Sequence, residues 1–458
     1  MSIQSEIGLS RKQKVFVTLE SVVGTLKFPN GTTDFIRPAG NAVMNQRPTF
    51  VSSEELRDTL DVLDQFQNAT PAGDFTLKMY IRPSGTLATS SPPQGNTLFR
   101  SLQGCVQSAT TASLSAGISS SIATASLKAI SGNFPHTGVI TIGSEKIAYT
   151  NLIKAASSST GTITGLTRAY AATTATAQLT DALCTLTSIF YKQQTTSPSF
   201  SLWIESDHFI QAMSGCSIVS AVLEITNEGG LAITFTGQGM QMKWAGTDAL
   251  ASNATAGQTT ITVADAKRYC VGMYLYNYTK SSAGFLISAS NATTNVITLN
   301  SAVGAAWATS DVIKGYVPSE TVIGTAIEAK DSVAYIDEVS TKIRRGTLNI
   351  GTPKQYPVDE VGDEYPTDYL EDVRDINSNL SLYFRRQDAK HFKDGYDGNE
   401  VATRLVFGDT QGYMMEIYMP RTKLQVPEIS FAPPAMELSI PLTALGTEGE
   451  DSLEIVFK

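Results

Sequence analysis

The stretch that decides the fold is Phe50–Pro83, FVSSEELRDTLDVLDQFQNATPAGDFTLKMYIRP. It opens acidic: Glu54, Glu55, Asp58, Asp61 and Asp64 stand against one cation, Arg57. A turn follows at Pro71-Ala72-Gly73. Phe75, Leu77, Met79 and Ile81 then alternate with Thr76, Lys78, Tyr80 and Arg82. Period two marks a strand with one face in a core and the other face away from it. The spacing of Asp58, Asp61 and Asp64 by threes breaks that alternation, so a bulge or a helical turn fits the acidic part as well.

The pattern is written twice. Asp359–Arg386 reads DEVGDEYPTDYLEDVRDINSNLSLYFRR. Asp359, Glu360, Asp363, Glu364, Asp368, Glu371, Asp372 and Asp375 precede a turn expected at Asn377-Ser378-Asn379. Leu380, Leu382 and Phe384 then alternate with Ser381, Tyr383 and Arg385. Each copy continues through a short helical or polar segment and further strands to a closing hairpin, Ser217–Gly239 in the first and Leu424–Gly446 in the second. Such an order is an internal duplication rather than a short-period solenoid.

Read outward from these two stretches, the chain is mainly β. Arg11–Thr18 is a short first strand. Ser21–Asn45 is long and aperiodic, and its Phe28, Phe35, Ile36 and Val43 are costly to leave wet, so it is expected to dock on a neighbour. Asn96 is placed as the N-cap of a short helix with Leu98, Phe99, Leu102 and Val106 on one face. Composition turns to Ser, Thr and Ala over 108–195 and again over 247–330. The two segments share an order of short strands and read as two copies of one inserted β module. The expected organisation is a first unit over 1–107 and 196–246, the two inserts, and a second unit over 331–458.

Composition excludes several function classes. The chain has 458 residues, 17% of them charged, and a formal net charge of −9. The charged fraction is below the roughly 25% of ordinary soluble proteins, which suits a surface covered by copies of itself. A basic nucleic-acid footprint is absent. The N-terminus lacks the apolar region of a secretory signal, and no run of about 18 apolar residues offers a membrane span. Cys105, Cys184, Cys216 and Cys270 form no CxxC pair and read as reduced, buried thiols. His136, His208 and His391 lie in different segments, without metal-ligand spacing. Rows of solvated acids do not make the glycosidase dyad, which needs one desolvated carboxyl. No catalytic residue, metal or cofactor is therefore expected. A rival reading, a surface adhesin with glycan-binding modules, rests on Tyr274, Tyr276 and Tyr278 alternating along one strand.

The first strand, the long docking loop, the acidic ribbon feeding GDFTLKMYI, the helix TLFRSLQG, the strand SLWI and the closing hairpins together resemble the tail tube (major tail) proteins of long-tailed, non-contractile bacteriophages. The resemblance covers both main units and leaves out the two inserts; the order of elements carries it rather than any one motif. It implies a β-sandwich flanked by a short helix, whose inner strands join between subunits into a barrel ring. With two such units per chain, it implies trimeric rings of pseudo-sixfold symmetry, hexamers being the alternative, stacked into a tube. The implied partners are other copies of the chain, a tape-measure protein, tail terminator and tail-tip proteins, and viral DNA passing without specific binding. The implied location is the virion tail, assembled in the host bacterial cytoplasm. Phe75, Leu77, Met79, Ile81, Leu380, Leu382 and Phe384 would be the apolar faces of inner-barrel strands. The acids Glu54–Asp64 and Asp359–Asp375 would lie on or near the lumen, while Lys78, Arg82, Arg385 and Arg386 depart from a uniformly acidic bore. The inserts would decorate the outside.

Overall fold

Hydrophobic alternation sets the architecture. In the computed structural model, which describes residues 9, 11–55, 61, 64–104, 110–132, 134–155, 158–431, 435–447 and 449–458, the chain is mainly β. Its α-helices among the described residues are Asn96–Gln103 and Lys390–Asp397. Asp58, Cys105 and Val106 lie outside the described residues.

Gly73–Tyr80 is the strand expected from its pattern, with Phe75, Leu77 and Met79 buried and the residues between them turned away. It begins one long sheet. In spatial order the strands are Val43–Asn45, Gly73–Tyr80, Ala232–Gly239, the second half of Phe209–Ile225, Arg345–Gly351, Asp375–Tyr383, Glu437–Leu445 and Glu428–Ser430. Every neighbouring pair is antiparallel. Registers align the faces across strands, since residues directly opposite share a side. Met79, Ile233, Leu223, Leu348, Ser378 and Leu442 make one such row, on the buried side.

Two units share this sheet. In the first, Lys14–Leu19 pairs with Phe200–Ser206, which pairs with Phe209–Ile225; that strand pairs with Ala232–Gly239 and Gln241–Ala245, and Gly73–Tyr80 pairs with Ala232–Gly239 and Val43–Asn45. In the second, Ser332–Ile336, Glu400–Phe407, Met415–Leu424, Glu437–Leu445, Glu454–Phe457, Asp375–Tyr383 and Arg345–Gly351 repeat these ladders one for one. The units are joined by Ser220–Ile225 of the first pairing with Gly346–Gly351 of the second. One hydrophobic core runs through both.

Several local expectations give way to tertiary context. Asn377-Ser378-Asn379 is not a turn but the middle of the strand Asp375–Tyr383. Ladders on both sides hold it there, and Asn377 and Asn379 accept side-chain bonds from Thr443 and Ser439. Asn96 is not the N-cap. Gly95 takes that place at φ 78°, while the Asn96 carboxamide accepts from Tyr191 Oη at 2.9 Å. Phe384 falls just past its strand, half-buried against Phe392. The Ser21–Asn45 loop packs on its own chain. Phe35 and Ile36 pair with the first strand and are buried, and Phe28 sits among Trp203, Tyr274 and Tyr316 with ring centroids 4.1–5.8 Å away. Of the four loop residues only Val43 stays exposed, at 56%.

The Ser/Thr-rich segments form their own sheets, with strands from Thr111 to Leu186 and from Thr247 to Gly315. The second segment repeats five ladders of the first, and the isolated bridges Ile118–Gln178 and Ala254–Trp307 correspond too. The body resumes earlier than residue 196, because Ile189–Lys192 already pairs with Glu454–Phe457. The first module is held on the second unit by a buried polar cluster. Glu416, fully buried, accepts from Lys458 Nζ and from Thr137 Oγ1, with Arg404 at 3.5 Å. His136 stacks on Tyr418 at 3.6 Å, and its amide donates to Glu454.

Burial, with Arg404 and Lys458 nearby, pushes His136 down to about 4 from its ordinary 6.5. The folded state therefore resists a proton that the unfolded chain takes up. Stability contributed by neutral His136 is intact above pH 6.5 and is lost as pH falls toward 4. The loss reaches about 3 kcal/mol at most. The buried Glu454 carboxyl is pushed up and pulls the other way, so the His136 part is isolated by difference. Urea unfolding of wild type and His136→Phe at pH 7 and pH 4.5 is expected to show the smaller acid loss in the variant; equal losses would contradict this account.

Candidate functional site

The side of the long sheet away from the core is mostly polar. Opposite Met79 and its row run Lys78, Thr234, Val222, Asn349, Asn377 and Thr443, in register across both units. Hydroxyls and amides dominate. Asp74, Glu224, Asp375, Glu428 and Glu437 supply carboxylates, and Lys78 and Arg345 supply cations. Lys78 is neutralised by Glu224 at 2.8 Å, and Arg345 approaches Glu437 at 3.7 Å. A shallow groove of about 580 Å³ crosses the face, lined by Glu224, Thr347, Asn379, Ser381, Glu437 and Ser439 among others.

The acidic ribbons do not lie on this face. Each forms a hairpin arm leaving one end of the sheet. Phe50–Ser52 pairs with Gln65–Gln67 in the first arm, and Lys354–Gln355 with Leu370–Glu371 in the second. Four successive antiparallel ladders make Gly73–Tyr80 and Asp375–Tyr383 run the same way, so both arms leave the same end. Glu54, Glu55, Asp61 and Asp64 are exposed on the first arm. Asp359, Glu360, Asp363, Glu364, Asp368 and Asp372 are exposed on the second, with Glu371 half-buried. Asp375 alone of the expected acids opens a strand of the polar face. Arg82 and Arg385 follow the far ends of their strands, away from the arms.

The two arms differ in their surroundings. The second folds across the first unit. Tyr356 Oη donates to the carbonyls of Gly215 and Gln238 at 3.1 and 3.0 Å, and Ser197 N donates to Glu371 Oε1 at 2.6 Å. Thr352 bonds the backbone of Ile218 and Val219. Gly215, at φ 62°, is where the long strand turns from one sheet layer to the other; a Cβ there would lie 2.4 Å from Met240. Lys354 is buried beside Ser217, Tyr369 and Glu371. Among the described residues, every residue of the first arm's two strands is exposed.

The outer strands of the long sheet, Val43–Asn45 and Glu428–Ser430, each pair on one side only among the described residues. Beside them Val43, Val426 and Phe431 are 56%, 50% and 75% exposed. Unpaired strand edges with apolar flanks are templates for pairing with another chain.

Residues that would serve chemistry do not gather. His136, His208 and His391 lie apart, and among the described residues no group of three His, Cys, Asp or Glu side chains comes within reach of one metal ion. Cys184 and Cys216 are buried thiols, with burial pushing both up, and Cys270 is half-buried. Tyr274 and Tyr276 pack toward Phe28 and Tyr316, leaving Tyr278 the exposed member of the stripe. Sequence reading missed the paired free edges and the different cover of the two arms. The exposed apolar pair Phe50 and Val51 beside an acidic run was the available signal.

No family model and no curated protein matches this chain.

Burial pushes the Lys354 ammonium down to about 8, against the pull of Glu371 and helped by Arg374. Between about pH 8 and the ordinary lysine value of 10.5, the folded state holds less proton than the unfolded chain, so raising pH stabilises it. The gain from pH 7.5 to 9.5 is expected to reach up to about 2 kcal/mol. It should be absent in Lys354→Met, read by urea unfolding at the two values.

Proposed function

We propose that this chain is the tube subunit of a sheathless, long-tailed phage tail, two wall segments in one polypeptide. The observation that carries the reading is the joint between the units. Ser220–Ile225 of the first pairs with Gly346–Gly351 of the second, and at the two ends of the sheet Val43–Asn45 and Glu428–Ser430 each pair on one side only among the described residues, while Thr422 and Lys423, before the second edge, are paired with Val401 and Glu400 as well. An edge that one unit offers its neighbour within the chain is offered again to the next chain. A heterologous contact of this kind closes into a ring when the rotation allows it. Three chains, six units, would give a ring of pseudo-sixfold symmetry; stacked rings would form the tube.

The polar face then lines the bore. Duplex DNA carries one negative charge per about 1.7 Å of axis, and a wall rich in Lys or Arg would hold it through its phosphates. Here hydroxyls and amides predominate, and the two cations have carboxylate neighbours. Such a surface lets DNA, and before it a tape-measure protein, pass without a specific hold. The inserted modules would face outward, and terminator and tail-tip proteins would meet the two ends. Catalysis has no place in this reading. For the adhesin alternative the stripe offers Tyr278 as its exposed member, Tyr274 packing on Phe28 and Tyr276 on Tyr316.

Negative-stain microscopy of the purified protein at rising concentration tests the proposal. Rings of three chains and hollow tubes are expected. Monomers at every concentration, with sedimentation to match, would overturn it.

A further inference from the structure

We propose that the paired strands of the first arm, Phe50–Ser52 and Gln65–Gln67, dock on a second copy of this chain, at the corner of that copy's second unit built from Met419–Arg421 and Leu445. The proposal rests on the ring-forming reading above and specifies which surfaces meet. Its template is inside the chain. The second arm crosses the corner of the first unit, where Tyr356 Oη bonds Gly215 and Gln238 and Lys354 meets Ser217. The repeated ladders place Met419–Arg421 where the first unit has Gly215–Ser217, because both are where the long strand passes from one layer's pairing to the other's. They likewise place Leu445 where the first unit has Gln238.

The first arm is built to be covered and is not. Phe50, Val51 and Phe66 are 57%, 51% and 57% exposed on a two-stranded ribbon. Such a ribbon is marginal in water by itself. The arm cannot reach the equivalent corner of its own chain. Val43–Asn45 and Glu428–Ser430 lie at opposite ends of the eight-stranded order, roughly 34 Å apart along the sheet at about 4.8 Å per strand. In a second copy Thr422–Leu424 runs from that corner toward the free edge Glu428–Ser430, with Thr422 and Lys423 paired to Val401 and Glu400 and with Val426 and Phe431 exposed beside the edge. Edge pairing would bring the arm over the corner in the same step, as it does between the two units here.

The test compares wild type with Val51→Asp/Phe66→Asp, both changes at exposed positions, by sedimentation and by hydrogen exchange. Wild type is expected to self-associate, with the amides of 50–52 and 65–67 slowing on association. The variant is expected to keep the wild-type melting curve and to associate about tenfold more weakly or worse. Unchanged association of a folded variant, or an arm that still exchanges freely in assembled wild type, overturns the arm contact and leaves the tube reading standing. Association with a protected arm but without hollow rings in the microscope overturns the tube reading alone. A wild type that stays monomeric overturns both.

Discussion

The structure depends on one antiparallel ladder, Ser220–Ile225 against Gly346–Gly351. It brings two copies of one topology into a single sheet and a single core, with Leu223 and Leu348 facing each other on its buried side. Its backbone bonds satisfy an edge that would otherwise be a site for unwanted pairing. At the two ends of the sheet Val43–Asn45 and Glu428–Ser430 each pair on one side only among the described residues.

Other features follow from that joint. The second arm can fold down only because the first unit's corner at Gly215 is beside it; Lys354 loses water there and is stabilised by Ser217 and Glu371. The polar face is continuous because the register carries period two across the joint without a slip, so Glu224 stands opposite Thr347 and Val222 opposite Asn349. A one-residue shift would have turned the core side outward. The inserts hang on the other side of this frame. One is seated by the Phe28 aromatic cluster, the other by the Glu416 charge cluster.

Charge is separated along the strands. Carboxylates crowd on the arms at one end, while Arg82 and Arg385 follow the strand ends at the other. The bore of the proposed tube is thus milder than the two acidic runs imply: apart from Asp375 their described acids sit on the arms, and the face carries Asp74, Glu224, Asp375, Glu428 and Glu437 against Lys78 and Arg345 among hydroxyls and amides.

The sequence by itself determined the mainly β class, the strand Gly73–Tyr80 with its buried Phe75, Leu77 and Met79, and the repetition of an acidic run before an amphipathic strand. These are local matters, since alternation over a few residues fixes which side faces a core. It also contained the order shared by the two Ser/Thr-rich segments. Tertiary structure alone decided where the acids stand. Nothing local distinguishes a carboxylate on a sheet face from one on a hairpin arm, because both are solvated. It alone decided that Asn377–Asn379 is strand, where ladders on two sides outweigh turn propensity, and that Phe28, Phe35 and Ile36 are satisfied within the chain. The free edges were illegible for the same reason: whether a strand has one partner or two depends on residues hundreds of positions away, and no pattern within the strand records it.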